Sequence, residues 1–347
     1  MISFSVARRA CSGVVSSFQT DAACCEKSCA RVMPDPKLQP IKPPALHPGD
    51  TVGIIAPASN VRRDDLETGC RALRRAGFNP FYFDSIFDRD LYFAGAQVRR
   101  LRELHEMFER DDVRAIVSAR GGYGANYLLK NLDLDVIRAH PKIFVGYSDV
   151  TTLLTCFTDS MGLVTFHGPM AAKDWAHDDG VDLASWQQAV SSAEAWNVPL
   201  NAGVEALVEG QAEGMLYGGC LSLLVASLGT PYAIRPSGTI LFVEDLGERP
   251  YQIDRMLMQL KLGGYFDEVR GIVFGEMVDC VQQPSPDYAL QEVIKRTIGD
   301  LGVPVAFGVR SGHVSSGNIT LPFGVRARLS VKESRVSLSI LEGAITA

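Results

Sequence analysis

The stretch that decides the fold is Lys142-Ile-Phe-Val-Gly-Tyr-Ser-Asp-Val-Thr-Thr-Leu153. An apolar run reaches Gly146, Ser148 follows two residues later, and a helical pattern continues from there. Because a sharp strand-to-helix turn raises a serine hydroxyl above a sheet, this order is typical of a nucleophile elbow. The backbone N–H of Asp149 would then lie at a helix N-terminus, where it can donate to an oxyanion. A structural alternative stays open, because serine is a common helix N-cap and Val150 replaces the second glycine of G-x-S-x-G.

Alternating strand and helix patterns extend from this turn toward the N-terminus. The predicted strands are 51–56, 78–83, 113–119 and 142–145, and the predicted helices are 62–76, 97–109 and 150–161. Strands that alternate with helices indicate βαβ units and a parallel sheet. The first half of the chain is therefore predicted to be a Rossmann-like α/β domain.

Strands become more frequent in the second half of the chain, from Glu205 onward. The predicted strands there are 239–243, 271–274, 303–307 and 327–331, and the predicted helices are 219–228, 251–262 and 287–299. This mixture predicts a C-terminal α+β domain that is β-rich and barrel- or sandwich-like. We expect the active site at the interface of the two domains.

The length of 347 residues fits two domains. We place the α/β domain at 41–178, a linker at 179–204 and the C-terminal domain at 205–347. Residues 1–40 have no clear period and hold four of the eight cysteines, and they are predicted to be a disordered N-terminal extension. For residues 1–20, a mitochondrial transit peptide is the alternative.

Composition excludes several classes of function. The formal net charge of −6 argues against a nucleic-acid or anionic-membrane binder, since both need a basic face. No run of about 18 apolar residues is present, so we expect no transmembrane helix and a cytoplasmic protein. The cysteines lack the paired spacing and the neighbouring histidines of a zinc site. We therefore expect neither a metal nor a cofactor.

A catalytic serine needs a base, and the base needs a carboxylate that orients it. Two of the six histidines, His167 and His313, lie beside glycine just after strand-like runs. The apolar run 240–243 leads into Glu244 and Asp245, which makes both acids candidates for the carboxylate. Strand-end acids also form turns, and a histidine beside glycine is often structural, so these assignments stay open.

A glycine-rich turn follows the strand predicted at 113–119. Its sequence, Arg120-Gly-Gly-Tyr-Gly124, lets backbone N–H groups approach a ligand closely. Such a turn would supply a second donor to an oxyanion. A phosphate loop is the alternative, which is weakened because the Lys-Ser/Thr pair and the G-x-G-x-x-G spacing are both missing.

Taken together, these stretches resemble the LD-carboxypeptidase family of serine peptidases, the muramoyltetrapeptide carboxypeptidases. The matching motifs occur in the family's order. They are 43–51, 56–59, 119–124, 146–149, 167–169, 218–219, 229–231, 243–245 with 251–255, 312–313 and 321–324. No single motif is decisive, but the ordered set covers most of the chain.

The resemblance implies a Ser–His–Glu triad that spans both predicted domains. The family serine corresponds to Ser148, the glutamate to Glu244 and the histidine to His313. Glu248 is the alternative carboxylate. His167 then becomes a structural or site-lining residue.

The resemblance also implies the rest of the site. The oxyanion donors correspond to the backbone N–H groups of Gly122 and Asp149. The candidate substrate-binding residues are Arg120, Tyr123 and Arg255. The chain departs from the family pattern at Cys220, because asparagine usually follows the glycine pair there.

The function implied is hydrolysis of the amide to a C-terminal D-amino acid, with release of D-Ala from the murein tetrapeptide in cell-wall recycling. The partner is then a small peptide, and a homodimer is expected because the family is commonly dimeric. An alternative within the family resembles the microcin-immunity peptidase, which cleaves peptidyl- or aminoacyl-nucleotide amides with the same triad. An alternative of another class is a non-catalytic α/β ligand-binding protein in which Ser148 is a helix N-cap.

Overall fold

The computed structural model describes residues 39–282 and 287–347. Their strands form two β-sheets, one of six strands and one of eight, and α-helices connect the strands. The strands are β1 Thr51–Ile55, β2 Asn79–Phe81, β3 Val113–Ser118, β4 Ile143–Gly146, β5 Thr165–His167, β6 Trp196–Asn197, β7 Glu205–Val208, β8 Gly210–Cys220, β9 Thr239–Glu244, β10 Gly271–Gly275, β11 Val305–Val309, β12 Leu321–Phe323, β13 Arg326–Lys332 and β14 Arg335–Ile340. The helices are α1 Arg63–Arg75, α2 Gln97–Glu109, α3 Leu134–Ala139, α4 Thr151–Met161, α5 Leu183–Ser191, α6 Leu221–Ala226, α7 Pro250–Leu262 and α8 Leu290–Ile298.

The first sheet has the strand order β12-β5-β4-β3-β1-β2. Five adjacent strands, β5, β4, β3, β1 and β2, pair in parallel, as the alternating strand and helix patterns predict. Strands covered on both faces are apolar throughout, and all four residues of β4 are buried. The predicted Rossmann-like α/β fold is confirmed, and the carboxyl ends of β3 and β4 lead into the glycine-rich turn and the serine turn.

A strand from the far end of the chain completes this sheet. β12 pairs antiparallel with β5, which sets Leu321 opposite His167. A three-residue strand has too short a pattern for a sequence-based prediction, and Pro322 within it is tolerated because β12 lies at the edge of the sheet. The pairing ties the C-terminal part of the chain to the sheet that carries Ser148.

The second sheet has eight strands in the order β6-β14-β13-β8-β9-β10-β11-β7. Its central pairs, from β8 to β11, are parallel, and the outer pairs are antiparallel. The sequence pattern does not predict β8, because its glycines and polar residues interrupt the alternation of apolar and polar residues that is typical of a strand. The helix predicted at 219–228 is correspondingly shorter, since β8 runs to Cys220 before α6 begins.

Parallel pairing aligns the ends of β8 and β9, with Cys220 opposite Glu244. Both residues are buried, and β9 is apolar up to its final acid. Among the described residues, no helix is both long enough and apolar enough to cross a membrane. The extension predicted for 1–40 lies outside the described residues up to position 38.

Candidate active site

Ser148 occupies a strained turn between β4 and α4. Its backbone φ is +60°, in the left-handed region that disfavours side chains. The short 3₁₀ helix Ser148–Val150 connects β4 to α4. The Ser148 side chain makes no N-cap hydrogen bond to the 3₁₀ helix or to α4. A positive φ at a strand-to-helix turn is the backbone geometry expected of a nucleophile elbow, and the N-cap interpretation has no hydrogen bond to support it.

The glycine-rich turn lies directly against Ser148. A Cβ placed on Gly121 would stand 2.7 Å from the Cβ of Ser148, so a side chain at that position would displace the serine. The neighbouring Gly122 has a φ of +107°, and the Ser59 hydroxyl accepts a hydrogen bond from the Tyr123 N–H at 3.0 Å. Among the described residues no acceptor takes the Gly122 N–H, which remains available to a ligand.

Buried side chains fix the glycine-rich turn to the serine turn. The Asp149 carboxylate accepts the Ala125 N–H at 2.7 Å, and Arg100 donates to the Gly124 carbonyl at 2.8 Å. Burial raises the pKa of Asp149 to about 6, and hydrogen bonds from the turn oppose that rise. The two predicted oxyanion donors, the N–H groups of Gly122 and Asp149, therefore sit on segments that hold each other in place.

His313 is anchored to Glu244 at the end of β9. Its Nδ1 lies 2.7 Å from Glu244 Oε2, and its backbone N–H donates to the same oxygen at 3.0 Å. Gly312 makes this approach feasible, because a Cβ there would stand 2.6 Å from Glu244 Cδ. With Nδ1 engaged, Nε2 is the ring nitrogen left to serve a substrate or a nucleophile.

The pair is electrostatically coupled in a buried setting. Burial alone would raise the pKa of Glu244, but attraction to His313, the hydrogen bond from His313 and the nearby His167 ring lower it to about 2. Burial alone would lower the pKa of His313, but the Glu244 charge raises it above the ordinary value of 6.5. Glu248, the alternative carboxylate, makes no hydrogen bond to His313 in the described structure.

One cavity brings these groups together. It has a volume of about 630 Å³, and Ser148, His313, Gly121 and Gly122 all line it. Besides His313 and Tyr147, the charged and titratable residues of its wall are Arg62, Asp65, Arg120, Lys173 and His177. The wall is therefore more cationic than anionic, although the whole chain carries −6.

Two of the three candidate substrate-binding residues lie outside the cavity wall. Tyr123 packs among exposed aromatic rings, 5.9 Å from Tyr92 and 6.0 Å from Tyr127 between ring centroids. Arg255 lies on α7 with its guanidinium 5.9 Å from the Tyr251 ring. Their binding roles stay predictions, and Arg120 is the one that faces the cavity.

A buried polar network that sequence reasoning missed supports the His313 loop. Asp174 accepts hydrogen bonds from the Tyr147 hydroxyl at 3.2 Å and from the Asn318 amide at 3.1 Å. Asn318 in turn accepts the Gly312 N–H at 3.0 Å. The Tyr147 ring stands perpendicular to the His313 ring, with centroids 5.1 Å apart. No local pattern signals this network, because Asp174 and Asn318 lie 144 residues apart in the chain.

Cys220, where the family pattern has asparagine, has local partners here. Its N–H donates to the Thr151 hydroxyl at 3.0 Å, and its Sγ lies 3.3 Å from the Ser222 hydroxyl. Burial, with the charges of Glu244 and Asp245, raises the pKa of the thiol far above its usual range. It is a neutral buried thiol beside Glu244. Within 39–282 and 287–347, no group of three or more metal-ligating side chains is arranged to hold an ion.

Comparison with known proteins agrees with this fold. The sequence matches the LD-carboxypeptidase N-terminal domain over residues 52–168 and the LD-carboxypeptidase C-terminal domain over residues 213–329. The probable murein peptide carboxypeptidase of Bacillus subtilis (strain 168) is 40% identical over 309 residues, which cover 88% of this chain and 97% of that one.

Two solved structures are similar over nearly their whole length. The structure of MccF in complex with glutamyl sulfamoyl guanosine has a TM-score of 0.82 at 26% identity, and the match covers 88% of this chain and 100% of that one. The muramoyltetrapeptide carboxypeptidase from Oxalobacter formigenes has a TM-score of 0.75 at 30% identity, with coverages of 85% and 100%.

The fold and the matched domains define a peptidase of the carboxypeptidase class. The chain belongs to the LD-carboxypeptidase family.

Proposed function

We propose that this protein is a serine-type L,D-carboxypeptidase that releases D-Ala from the murein tetrapeptide during cell-wall recycling. The observation that carries the proposal is the cavity that holds both a strained Ser148 and a His313 hydrogen-bonded to buried Glu244. A nucleophile, a base and an acid that orients the base are the groups that acyl transfer requires.

The proposed chemistry gives each of the three groups one role. His313 Nε2 takes the proton of Ser148 as its Oγ bonds to the carbonyl carbon of the scissile amide. Glu244 holds the imidazole by Nδ1 and stabilises the cation that forms. The oxyanion is bound by the N–H groups of Gly122 and Asp149, each contributing about 2.7–4 kcal/mol in comparable sites.

The second half of the reaction frees the enzyme. His313 returns its proton to the amine of the D-amino acid as the C–N bond breaks, which leaves an acyl group on Ser148. Water then attacks that acyl group, with His313 as the base, and the shortened peptide departs. The leaving residue carries a carboxylate, which the cationic cavity wall accommodates, with Arg120 beside the glycine-rich turn.

A second candidate function is cleavage of an aminoacyl-nucleotide amide by the same residues. The similarity to MccF bound to glutamyl sulfamoyl guanosine favours it, because that match covers 88% of this chain. An acidic acyl group would also suit a cavity lined by Arg62, Arg120 and Lys173.

Parallel incubations followed by mass spectrometry separate these functions. The substrates are the murein tetrapeptide, the corresponding pentapeptide and glutamyl sulfamoyl adenosine, each at the same concentration. The proposal predicts that the tetrapeptide loses one D-Ala and that the other two stay intact. Cleavage of the sulfamoyl adenosine alone would favour the second function, and release of D-Ala from the pentapeptide would contradict L,D specificity.

The proposal also includes action in the cytoplasm on a small peptide, as a homodimer. The peptide substrate and the homodimer come from the resemblance to the family, whose members are commonly dimeric, and the cytoplasmic location is the expectation from the sequence. Sedimentation equilibrium of the purified chain tests the assembly: a mass of two chains at micromolar concentration is expected, and a single-chain mass would contradict it.

A further inference from the structure

Among the described residues, only one oxygen of the Glu244 carboxylate accepts hydrogen bonds. His313 engages Oε2 through both its ring and its backbone, whereas Oε1 is buried and has no hydrogen-bond partner among the described residues. The nearest candidate is His167 Nε2, which lies 3.7 Å from Oε1 and is itself buried without a partner. Two unpartnered polar atoms that face each other in a fully buried place point to an interaction between them.

Ser311 determines which nitrogen of His167 carries the proton. Its hydroxyl lies 2.9 Å from His167 Nδ1, and it contacts no other hydrogen-bonding group in the described structure. If Nδ1 donated to the hydroxyl, the Ser311 proton would have no acceptor, and the bare Nε2 would face a carboxylate. The favourable arrangement therefore has Ser311 donating to Nδ1 and Nε2–H directed at Glu244.

Packing keeps the His167 ring in this orientation. The ring is fully buried, 5.4 Å from the Phe323 ring and 5.1 Å from the Phe242 ring between centroids. On its remaining side, a Cβ on Gly312 would stand 2.7 Å from His167 Cε1. Burial lowers the pKa of His167, so the ring is neutral at neutral pH and offers one N–H.

We propose that His167 is a positioning residue of the triad, which directs its Nε2–H at the second oxygen of Glu244 so that the carboxylate is held between two histidines. The proposal rests on the assignment of His313 and Glu244 to catalysis. His167 does not touch the substrate, since it has no exposed surface and does not line the cavity. Its effect reaches Ser148 through Glu244 and His313.

The consequence is measurable because a hydrogen-bond donor stabilises the charged carboxylate. Loss of that donor raises the proton affinity of the coupled pair, so the titration midpoint of His313 moves to higher pH. The titratable groups that face the pair are His167, Asp174, Tyr147, Cys220 and Asp245. Of these, His167 is the one that lies against Oε1.

The test uses the full chain with His167→Phe, which keeps a ring against Phe323 and Phe242, and His167→Gln, which restores an N–H. The His313 titration is followed by NMR of the histidine-labelled protein, alongside kcat and KM on the tetrapeptide. For His167→Phe we expect a midpoint higher by about half to one pH unit and a kcat about tenfold lower, with KM little changed. His167→Gln is expected to return both values toward those of the native chain.

A matched control lies two residues earlier on β5. Thr165 is fully buried, and its hydroxyl faces Thr158 at 3.3 Å, away from the carboxylate. Thr165→Val is therefore expected to alter the unfolding midpoint without moving the His313 titration or the ratio of kcat to KM.

Each remaining outcome decides the matter. A folded His167→Phe with the native His313 midpoint and native kcat would overturn the proposal. If that variant fails to fold, Ser311→Ala replaces it, since it removes the hydroxyl that fixes the His167 tautomer. A native His313 midpoint with native kcat in Ser311→Ala would then overturn the proposal. A shifted titration in a protein that hydrolyses no peptide would leave the His167 inference standing and remove the proposed function instead.

Discussion

At the scale of single residues, Ser148 holds a conformation that its own side chain opposes. It is one of four non-glycine residues with positive φ among those the structure describes. Strain of this kind costs about 1–3 kcal/mol and persists where the surroundings enforce it, which is common at active sites. Here the enforcing surroundings are the apolar end of β4 and the glycine-rich turn.

This strain predicts an unusual stability order. Ser148→Gly should be more stable than Ser148→Ala by about 1 kcal/mol, because glycine relieves the strained φ. The greater conformational entropy of glycine in the unfolded chain offsets only part of that gain. Urea denaturation of the two inactive variants measures the difference. An alanine variant as stable as the glycine variant would show that the turn stores no strain.

The coupled pair predicts the pH dependence of activity. In the proposed mechanism His313 must be neutral to accept the serine proton. Its pKa lies above 6.5, so kcat/KM should fall tenfold for each pH unit below that pKa. In Glu244→Gln the burial of His313 is no longer opposed, so the acid limb should move to lower pH while kcat drops by about 10³–10⁴-fold. The pH profiles of both proteins test this, and an unmoved limb would contradict the coupling.

The same pair affects stability with a definite sign. Glu244 has a folded-state pKa of about 2, below its ordinary value of 4.5. Its ionised form therefore stabilises the folded protein above pH 4.5, and this stabilisation is lost as the pH falls toward 2. His313 has a raised pKa, so its contribution is present below 6.5 and is lost as the pH rises through the folded-state value.

Candidate site residues can be identified from the sequence where they lie in a local motif. Ser148, Glu244 and His313 follow from ordered motifs, and the structure brings the latter two into contact. Asp174 and Asn318 could not be predicted, because their meaning comes from one hydrogen bond across 144 residues.

At the scale of elements, prediction depends on how strongly the pattern repeats. The helix predicted at 97–109 coincides with α2, because its apolar residues recur at helical spacing over three turns. β8 was missed because glycines and polar residues dilute its alternation, and β12 because three residues carry no period. Among the strands that were not predicted, these two border the site, since β8 ends at Cys220 and β12 pairs with His167.

The loop that carries His313 provides a test with an internal control. Gly312 has a φ of +93° and no room for a Cβ, whereas Gly317 has a φ of +58° and no atom closer than 3.6 Å to a Cβ. Gly312→Ala should therefore destabilise the protein by about 3 kcal/mol or more and abolish turnover. Gly317→Ala should cost about 1 kcal/mol and keep turnover. Similar effects of both, by urea denaturation and D-Ala release, would contradict the role given to Gly312.

At the scale of the whole molecule, the two sheets share one apolar core. The largest buried cluster contains residues of the first sheet, such as Phe144, together with inward residues of the second, such as Phe242 and Leu329. A second cluster, around Phe274, covers the outer face of the second sheet. The division into domains at 41–178 and 205–347 stays a prediction, and the shared core argues that the two parts fold together.

A shared core predicts coupled unfolding. Phe323→Ala, in the strand that joins the two halves, should cost about 3–5 kcal/mol and move the whole transition. Tryptophan fluorescence and far-ultraviolet circular dichroism should give the same midpoint before and after the substitution. Two separate transitions would show that the halves unfold independently.

The remaining prediction at this scale concerns the positive charges of the cavity wall. Arg120→Met should raise KM for the tetrapeptide about tenfold with a smaller change in kcat, because Arg120 faces the cavity in which we propose that the substrate carboxylate binds. Arg255→Met is the matched control, since Arg255 lies outside the cavity wall. A raised KM in Arg255→Met alone would assign the carboxylate to that residue instead.

The most direct test of the central claim is the rate of D-Ala release from the murein tetrapeptide by the native chain and by Ser148→Ala, under identical conditions. We predict steady release by the native chain and none above background by the variant, with unchanged circular dichroism. Release by Ser148→Ala at the native rate would contradict the assignment of Ser148 as the nucleophile.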